Sequence, residues 1–240
     1  MTMPYYVAPE QVMKDRAEYA QKGIARGRAL VAVTYDGGIL VVAENPSRTL
    51  HKISEIYDRV AFAGVGKYNE FDQLRVAGIR HADTKGYAYS RDDVDARSLA
   101  NLYAQFLGQV FTHEMKPLEV EILVAELGKS EAGNRMYHIS YDGTVVDEER
   151  WTVLWGDAEV IAGRLETAFS EGWALAEAVP ACVGVLAGPD RQLAAGDLEV
   201  AILSHADGTP GGANGRRAFR RIEGGELAAL LAGAVTGSAG

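Results

Sequence analysis

Cys182 is the only cysteine among the 240 residues. One thiol excludes an internal disulfide and a cysteine-built metal cluster, and it suits a reducing compartment. No apolar run approaches the ~18 residues of a membrane span. The opening Met1-Thr2-Met3-Pro4-Tyr5-Tyr6 lacks the basic stretch and apolar core of a secretory signal. Positive charge is also in short supply: 24 Lys and Arg against 33 Asp and Glu leave a net −9, which argues against nucleic acid as the main partner. The histidines at 51, 81, 113, 138 and 205 are scattered, with no pair at helical ligand spacing, so no zinc site is expected. What is present is ordinary, with 48% hydrophobic and 24% charged residues. That is a soluble globular composition at a length that needs no covalent staple. A soluble, acidic, cytoplasmic protein without a membrane or nucleic-acid partner is expected.

Residues 9–26 carry an amphipathic helical pattern, with Met13, Ala17, Ala20 and Ile24 on one face and Pro9 suited to its first turn. Its stripe is thin, so this helix should dock onto something rather than nucleate a core. A hairpin follows, Ala29–Thr34 and Ile39–Ala43, around Tyr35-Asp36-Gly37-Gly38, whose glycine pairs can supply positive φ. Val60–Val65 reads as a strand. Helices are predicted near Tyr68–Thr84, with Phe71, Leu74 and Gly78 on one face, and Asp95–Met115, with Leu99, Leu102, Phe106 and Val110 on one face. Strands return at Glu119–Glu126, Arg135–Ser140, Val145–Val146 and Trp151–Trp155. Helices follow at Asp157–Ser170 and Ala174–Leu186, the latter kinked by Pro180. Strands Leu198–Ser204 and Ala218–Ile222 then flank a Gly/Pro/Asn-rich loop at 206–215, and a short helix at Glu226–Leu231 leads to a flexible tail at 233–240. Strands and helices come in blocks. This ordering predicts an α+β fold, with two antiparallel sheets face to face and each covered by a helix pair: a four-layer sandwich in a single domain, 9–232.

Several chemistries fail on inspection. Ala63-Gly64-Val65-Gly66-Lys67 lies between a strand and a helix, but Ala61 stands where a Walker loop needs glycine and Tyr68 where it needs Ser or Thr. Asn69 occupies the third glycine position of the dinucleotide fingerprint. No Gly-x-Ser-x-Gly elbow occurs, and Cys182 sits in an apolar helical stretch as an inert thiol. Arg216, Arg217, Arg220 and Arg221 cluster around Phe219, and on an acidic protein this reads as a subunit contact or a solvated face.

Glu18-Tyr19-Ala20, then Arg26-Gly27, a strand, a Tyr-x-Gly-Gly hairpin and a second strand form an ordered set of signals. Lys52-Ile53, Tyr57-Asp58-Arg59-Val60-Ala61 and Gly66 continue it. Together they resemble the proteasome family, most closely the α subunits of the actinobacterial-type bacterial proteasome, and block order agrees to about residue 232. The resemblance implies the four-layer αββα sandwich of N-terminal-nucleophile hydrolases with an extra N-terminal helix. It implies no cofactor and no metal.

In the family's β subunits, cleavage after a glycine exposes a threonine nucleophile. The matching junction here is Gly27-Arg28, the position of the β-subunit aspartate holds Glu44, and Thr34 lies inside a strand. An arginine is neither nucleophile nor base, so the chain should be a non-catalytic α-ring subunit of a threonine protease complex. The resemblance implies a homo-heptameric ring, a catalytic β subunit, and a ring-shaped ATPase or other activator. Unfolded proteins would be the substrates in transit. Lys52 and the Gly66 backbone would receive the activator's C-terminal carboxylates. Residues 1–8 would form the gate, through Met3, Pro4, Tyr5, Tyr6, Val7, Ala8 and the Pro9 that follows; the Tyr-Asp-Arg gate motif of archaeal and eukaryotic α subunits is absent. An active hydrolase with unrecognised processing and a degenerate-fold binding protein are the alternatives.

Overall fold

The computed structural model describes residues 8–155, 157–205 and 218–237. Helix α1 (Pro9–Ile24) precedes strands β1 (Leu30–Tyr35), β2 (Gly38–Glu44), β3 (Ile53–Tyr57) and β4 (Val60–Gly66). Helices α2 (Tyr68–Ala88) and α3 (Ala96–His113) lead to β5 (Val120–Glu126), β6 (Arg135–Ile139), β7 (Val145–Glu148) and β8 (Trp151–Leu154). Then come α4 (Ala158–Ala168), α5 (Leu175–Ala187), β9 (Leu198–Ser204), β10 (Phe219–Ile222) and α6 (Gly224–Gly237). One sheet runs in the order β10-β9-β2-β1-β8 and the other β3-β4-β5-β6-β7, every neighbouring pair being antiparallel.

Three apolar layers explain why these strands are buried on both faces. Val31, Val33, Leu40 and Val42 point from the first sheet under α4 and α5. Leu30, Ile39, Val41 and Leu203 face Ile53, Leu123 and Met136 of the second sheet, with Ile24 of α1 closing one end of that layer. Phe62, Ile122 and Val124 pack beneath α2 and α3 against Phe71, Leu99 and Tyr103. Alternating side chains therefore serve two cores, and the strands read as near-continuous apolar runs rather than as half-polar stripes. Alanines at 32, 43, 61, 63, 125 and 201 thin the middle layer and let the two sheets approach. The sandwich of two antiparallel sheets with helices outside follows the block order read from sequence.

Several local expectations need correction. Strand β3 was not foreseen, because only Ile53, Ile56 and Tyr57 of its five residues are buried. In α3 the buried stripe is Ala96, Leu99, Ala100, Tyr103 and Leu107, while Phe106 is exposed. Small residues fill the tight contact there, so choosing the face by the largest side chains rotates it wrongly. In the first hairpin the positive φ falls on Gly38 (φ 143°), inside β2, where a Cβ would overlap the Leu203 carbonyl of β9. Close approach of two strands, not the turn, requires that glycine. Helix α5 spans 175–187 with Pro180 inside it. Helix α6 runs on through Gly237, into the stretch read as a tail. The 206–215 loop and residues 238–240 lie outside the described residues. No helix among the described residues is long and apolar enough to cross a membrane.

Candidate functional site

The turn from α1 into β1 organises the site. Ile24 is buried between the sheets and fixes the helix end, and the Gly27 N–H donates to the Ile24 carbonyl at 2.7 Å. Gly27 then passes against the end of β4, and a Cβ placed on it would lie 3.2 Å from the Gly66 nitrogen. Gly66 itself has φ 102°, and its own Cβ would fall on the Glu119 carbonyl of the adjoining segment, so the backbone there is bare by necessity, while at Gly27 a side chain would be tightly crowded.

Lys52 approaches the same turn from its other side. It precedes β3, its carbonyl accepts from Gly64 N–H at 3.0 Å, and its Nζ donates to the Arg28 carbonyl at 2.7 Å. The two residues expected to form one socket are thus brought to the two sides of a single Gly27-Arg28 step. Of the expected gate, Ala8 and Pro9 are described: Ala8 is the exposed residue at the N-terminus of α1, its carbonyl accepting from Gln11 and Val12, and Pro9 opens the first turn. Met3, Pro4, Tyr5, Tyr6 and Val7 lie outside the described residues.

Two buried carboxylates hold this region. Glu44 accepts both Arg191 guanidinium nitrogens at 3.1 Å and also pairs with Arg28. Glu199 of β9 accepts from Asn45 Nδ2 at 2.8 Å and from the backbone N–H groups of Lys52 at 2.7 Å and Ile53 at 3.2 Å. Its other partners are Arg221 of β10 and His51. Arg221 also donates to the Ile53 carbonyl, so this member of the arginine cluster points inward, contrary to the surface reading. Arg220 does face solvent, paired with Glu226, and Arg216 and Arg217 lie outside the described residues. Burial lowers the Lys52 ammonium to a pKa of about 8, with Glu199 and Glu44 opposing that shift and Arg28 adding to it.

A cavity of about 470 Å³ opens beside Arg28, bordered by Glu44, Ile161, Arg164, Leu186 and Arg191. None of its twelve lining residues carries a hydroxyl or thiol. Cys182 is buried, and desolvation pushes its thiol up to about 12. Among the described residues no group of His, Cys, Asp and Glu is arranged to hold a metal ion. Sequence reasoning did not find Glu199, Arg191 or Asn45, which position the site but are far from it along the chain.

The family model for proteasome subunits matches residues 24–203, which takes in the α1–β1 turn, Lys52, Gly66 and strands β1 to β8. The chain belongs to the proteasome family. It is 59% identical over 239 residues to the proteasome subunit alpha of Acidimicrobium ferrooxidans, covering 100% of both chains. It is 55% identical to that of Xylanimonas cellulosilytica, covering 95% of each, and 51% identical to that of Kineococcus radiotolerans, covering 97% of this chain and 99% of the other. The resemblance to actinobacterial α subunits drawn from Glu18-Tyr19-Ala20, Arg26-Gly27 and Lys52-Ile53 therefore extends over the full length.

Proposed function

We propose that the chain is the non-catalytic subunit of the outer, seven-membered ring of a bacterial proteasome core. In this role it templates the catalytic β ring, docks ring-shaped ATPases by their C-terminal carboxylates, and gates the entry of unfolded proteins. The observation that carries the reading is Lys52. Its ammonium bonds a backbone carbonyl and leaves its remaining donors for an incoming anion, beside the bare backbone of Gly27 and Gly66. An ammonium next to a backbone N–H, here that of Gly66, recognises a carboxylate by charge-assisted hydrogen bonds. The silent-chemistry part of the reading is supported by Arg28, at the position matched to the β-subunit nucleophile. Its guanidinium pairs with Glu44, so the position offers neither a nucleophile nor a base.

The gate is assigned to Met3–Pro9, the residues that lead into the first turn of α1. Activator binding opens the gate by the difference in its affinity for the open and closed rings.

The deciding experiment assembles Lys52→Ala with its β subunit. Assembly and small-peptide cleavage should stay near wild type, while ATPase-stimulated protein degradation is lost; retained stimulation removes Lys52 from docking. In the same assay, deletion of residues 2–8 should raise peptide entry without an activator, and an unchanged rate removes the segment from the barrier.

A further inference from the structure

Three arginines and three acids line the cavity beside Arg28, and they do not all satisfy one another. Glu44 takes two of the arginines, pairing with Arg28 and accepting from both Nη1 and Nη2 of Arg191. Arg191 is spent further on the carbonyls of Leu186 and Ala187 at the end of α5. Arg164 of α4 is left over. Among the described residues its guanidinium donates to the Val185 carbonyl, at a long 3.4 Å, and pairs with no carboxylate. It lies over the bare Cα of Gly188, where a Cβ would come within 2.5 Å of Nη1. The two remaining acids, Asp157 ahead of α4 and Asp190 beyond α5, are exposed, and neither carboxylate has a partner among the described residues.

Each unused group restricts what the cavity can hold. A guanidinium presents five N–H donors in a planar fork that matches a carboxylate, so Arg164 favours an anion. A phosphate or other multiply charged anion would meet the two free aspartates as like charges in the same space. A molecule with one carboxylate and one ammonium satisfies both kinds of group and leaves neither aspartate opposed. Ile161 and Leu186 supply a buried apolar floor. The volume of about 470 Å³ is that of a small-ligand site.

We propose that this cavity binds a small zwitterion with an apolar side chain, an amino acid or dipeptide with both ends free. Arg164 takes its carboxylate, Asp157 and Asp190 take its ammonium, and Ile161 and Leu186 receive the side chain. Proteolysis releases molecules of this class, so a proteasome subunit meets them in quantity. The assignment stands on the cavity and is independent of the docking role given to Lys52.

The test titrates the purified full-length chain with Leu-Leu by calorimetry, beside leucine, Leu-Leu amide, N-acetyl-Leu-Leu and inorganic phosphate. Leu-Leu or leucine should bind saturably, the tighter of the two separating dipeptide from amino acid. Blocking either end of Leu-Leu should weaken it about tenfold or more, the worth of one charged hydrogen bond. Absence of saturation by both free zwitterions at about 10 mM overturns the site, and phosphate binding tighter than either overturns the zwitterion. Arg164→Gln should weaken Leu-Leu about tenfold and leave the already weaker Leu-Leu amide unchanged, which a merely structural loss would not do. Equal losses for the two ligands overturn Arg164 as the carboxylate receptor. The exposed pair Asp157→Asn and Asp190→Asn keeps the proposal testable where Arg164→Gln fails to fold: together they should weaken Leu-Leu but not N-acetyl-Leu-Leu. Undiminished Leu-Leu binding in that double variant overturns the ammonium assignment.

Discussion

Two pairs of buried glutamates flank the α1–β1 turn, and they treat the lysines beside them in opposite ways. Glu44 and Glu199 are neutralised by Arg28, Arg191 and Arg221, and the neighbouring Lys52 is left to lose its proton easily. Glu70 and Glu119 are instead neutralised by lysines. Lys116 lies 2.8 Å from Glu70 and 3.0 Å from Glu119, and Lys67 lies 3.4 and 3.7 Å from the same two. Burial alone would lower Lys116, but hydrogen bonds to both carboxylates outweigh it and hold its pKa above the ordinary value. The Glu70 carboxyl is likewise held down: burial works against it, and the bonds from Lys116 and the Glu119 N–H prevail. An arginine fork satisfies a carboxylate bidentately, whereas an ammonium is a point charge that two carboxylates can share. Burial is the larger cause of the Lys52 shift, and carboxylates already bound to arginines oppose it only in part, whereas at Lys116 a smaller burial is outweighed by two directly bonded carboxylates.

Removing the buried acid of each pair should separate them most. Glu199→Ala strands Arg221 and two backbone N–H groups in the interior and should cost about 3–5 kcal/mol. Glu119→Ala leaves lysines whose side chains are 40% and 48% exposed and should cost about 1–2 kcal/mol. Denaturant midpoints of the two variants check this, and equal losses would break the contrast.

The lysines themselves come next. A fall from 10.5 to about 8 corresponds to about 3 kcal/mol of bias against the charged form, and the lost bond to the Arg28 carbonyl returns about 1. Lys52→Met should therefore stabilise the fold at pH 7 by on the order of 2 kcal/mol. The sign is set by which state binds the proton more tightly. Below about pH 8 both states are charged and the folded chain carries the full penalty. Between 8 and 10.5 the unfolded chain binds more protons, so the penalty, and with it the gain from methionine, fades as pH rises. Lys116→Met should instead lose about 1 kcal/mol at pH 7 and keep that loss through pH 10, because its folded value is raised. Unfolding curves at pH 7, 9 and 10.5 distinguish the two.

The smallest effect belongs to Arg220→Ala. Its ion pair with Glu226 is 45% and 46% exposed, and removal should shift stability by no more than about 0.5 kcal/mol. Arg221→Ala, one residue further along β10, should cost several times as much in the same thermal melt.

Much of this was legible in the chain because local patterns decide it. The hairpin around Asp36-Gly37, the apolar runs of β4, β5 and β9, and the block order determine the sandwich without knowledge of partners. The resemblance points to Lys52 and Gly66, and the fold brings the two residues to either side of the Gly27-Arg28 step. Glu199 and Arg221 were not found, because their proximity to Lys52 depends on β9 pairing with β2 and β10 pairing with β9. Residues separated by 147 positions meet only through that register, which no spacing along the sequence announces. Arg221 was noticed as part of a basic cluster, yet alternation along β10 sends it inward and Arg220 outward.

The strand orders of the two sheets imply different histories for a chain leaving the ribosome. The sheet β3-β4-β5-β6-β7 is built from neighbours in sequence order and can be completed once residue 148 is available. Its partner takes β1 and β2 from the first 44 residues and its remaining strands from β8, β9 and β10, the last of which ends at Ile222. The most apolar hairpin of the protein is thus made first and covered last. Nearly the whole polypeptide must be synthesised before its edges are closed, and such long-range pairings form slowly. Through that interval two strands with every β2 residue destined for the interior stand open to other nascent chains, which makes early translation the moment of greatest aggregation risk.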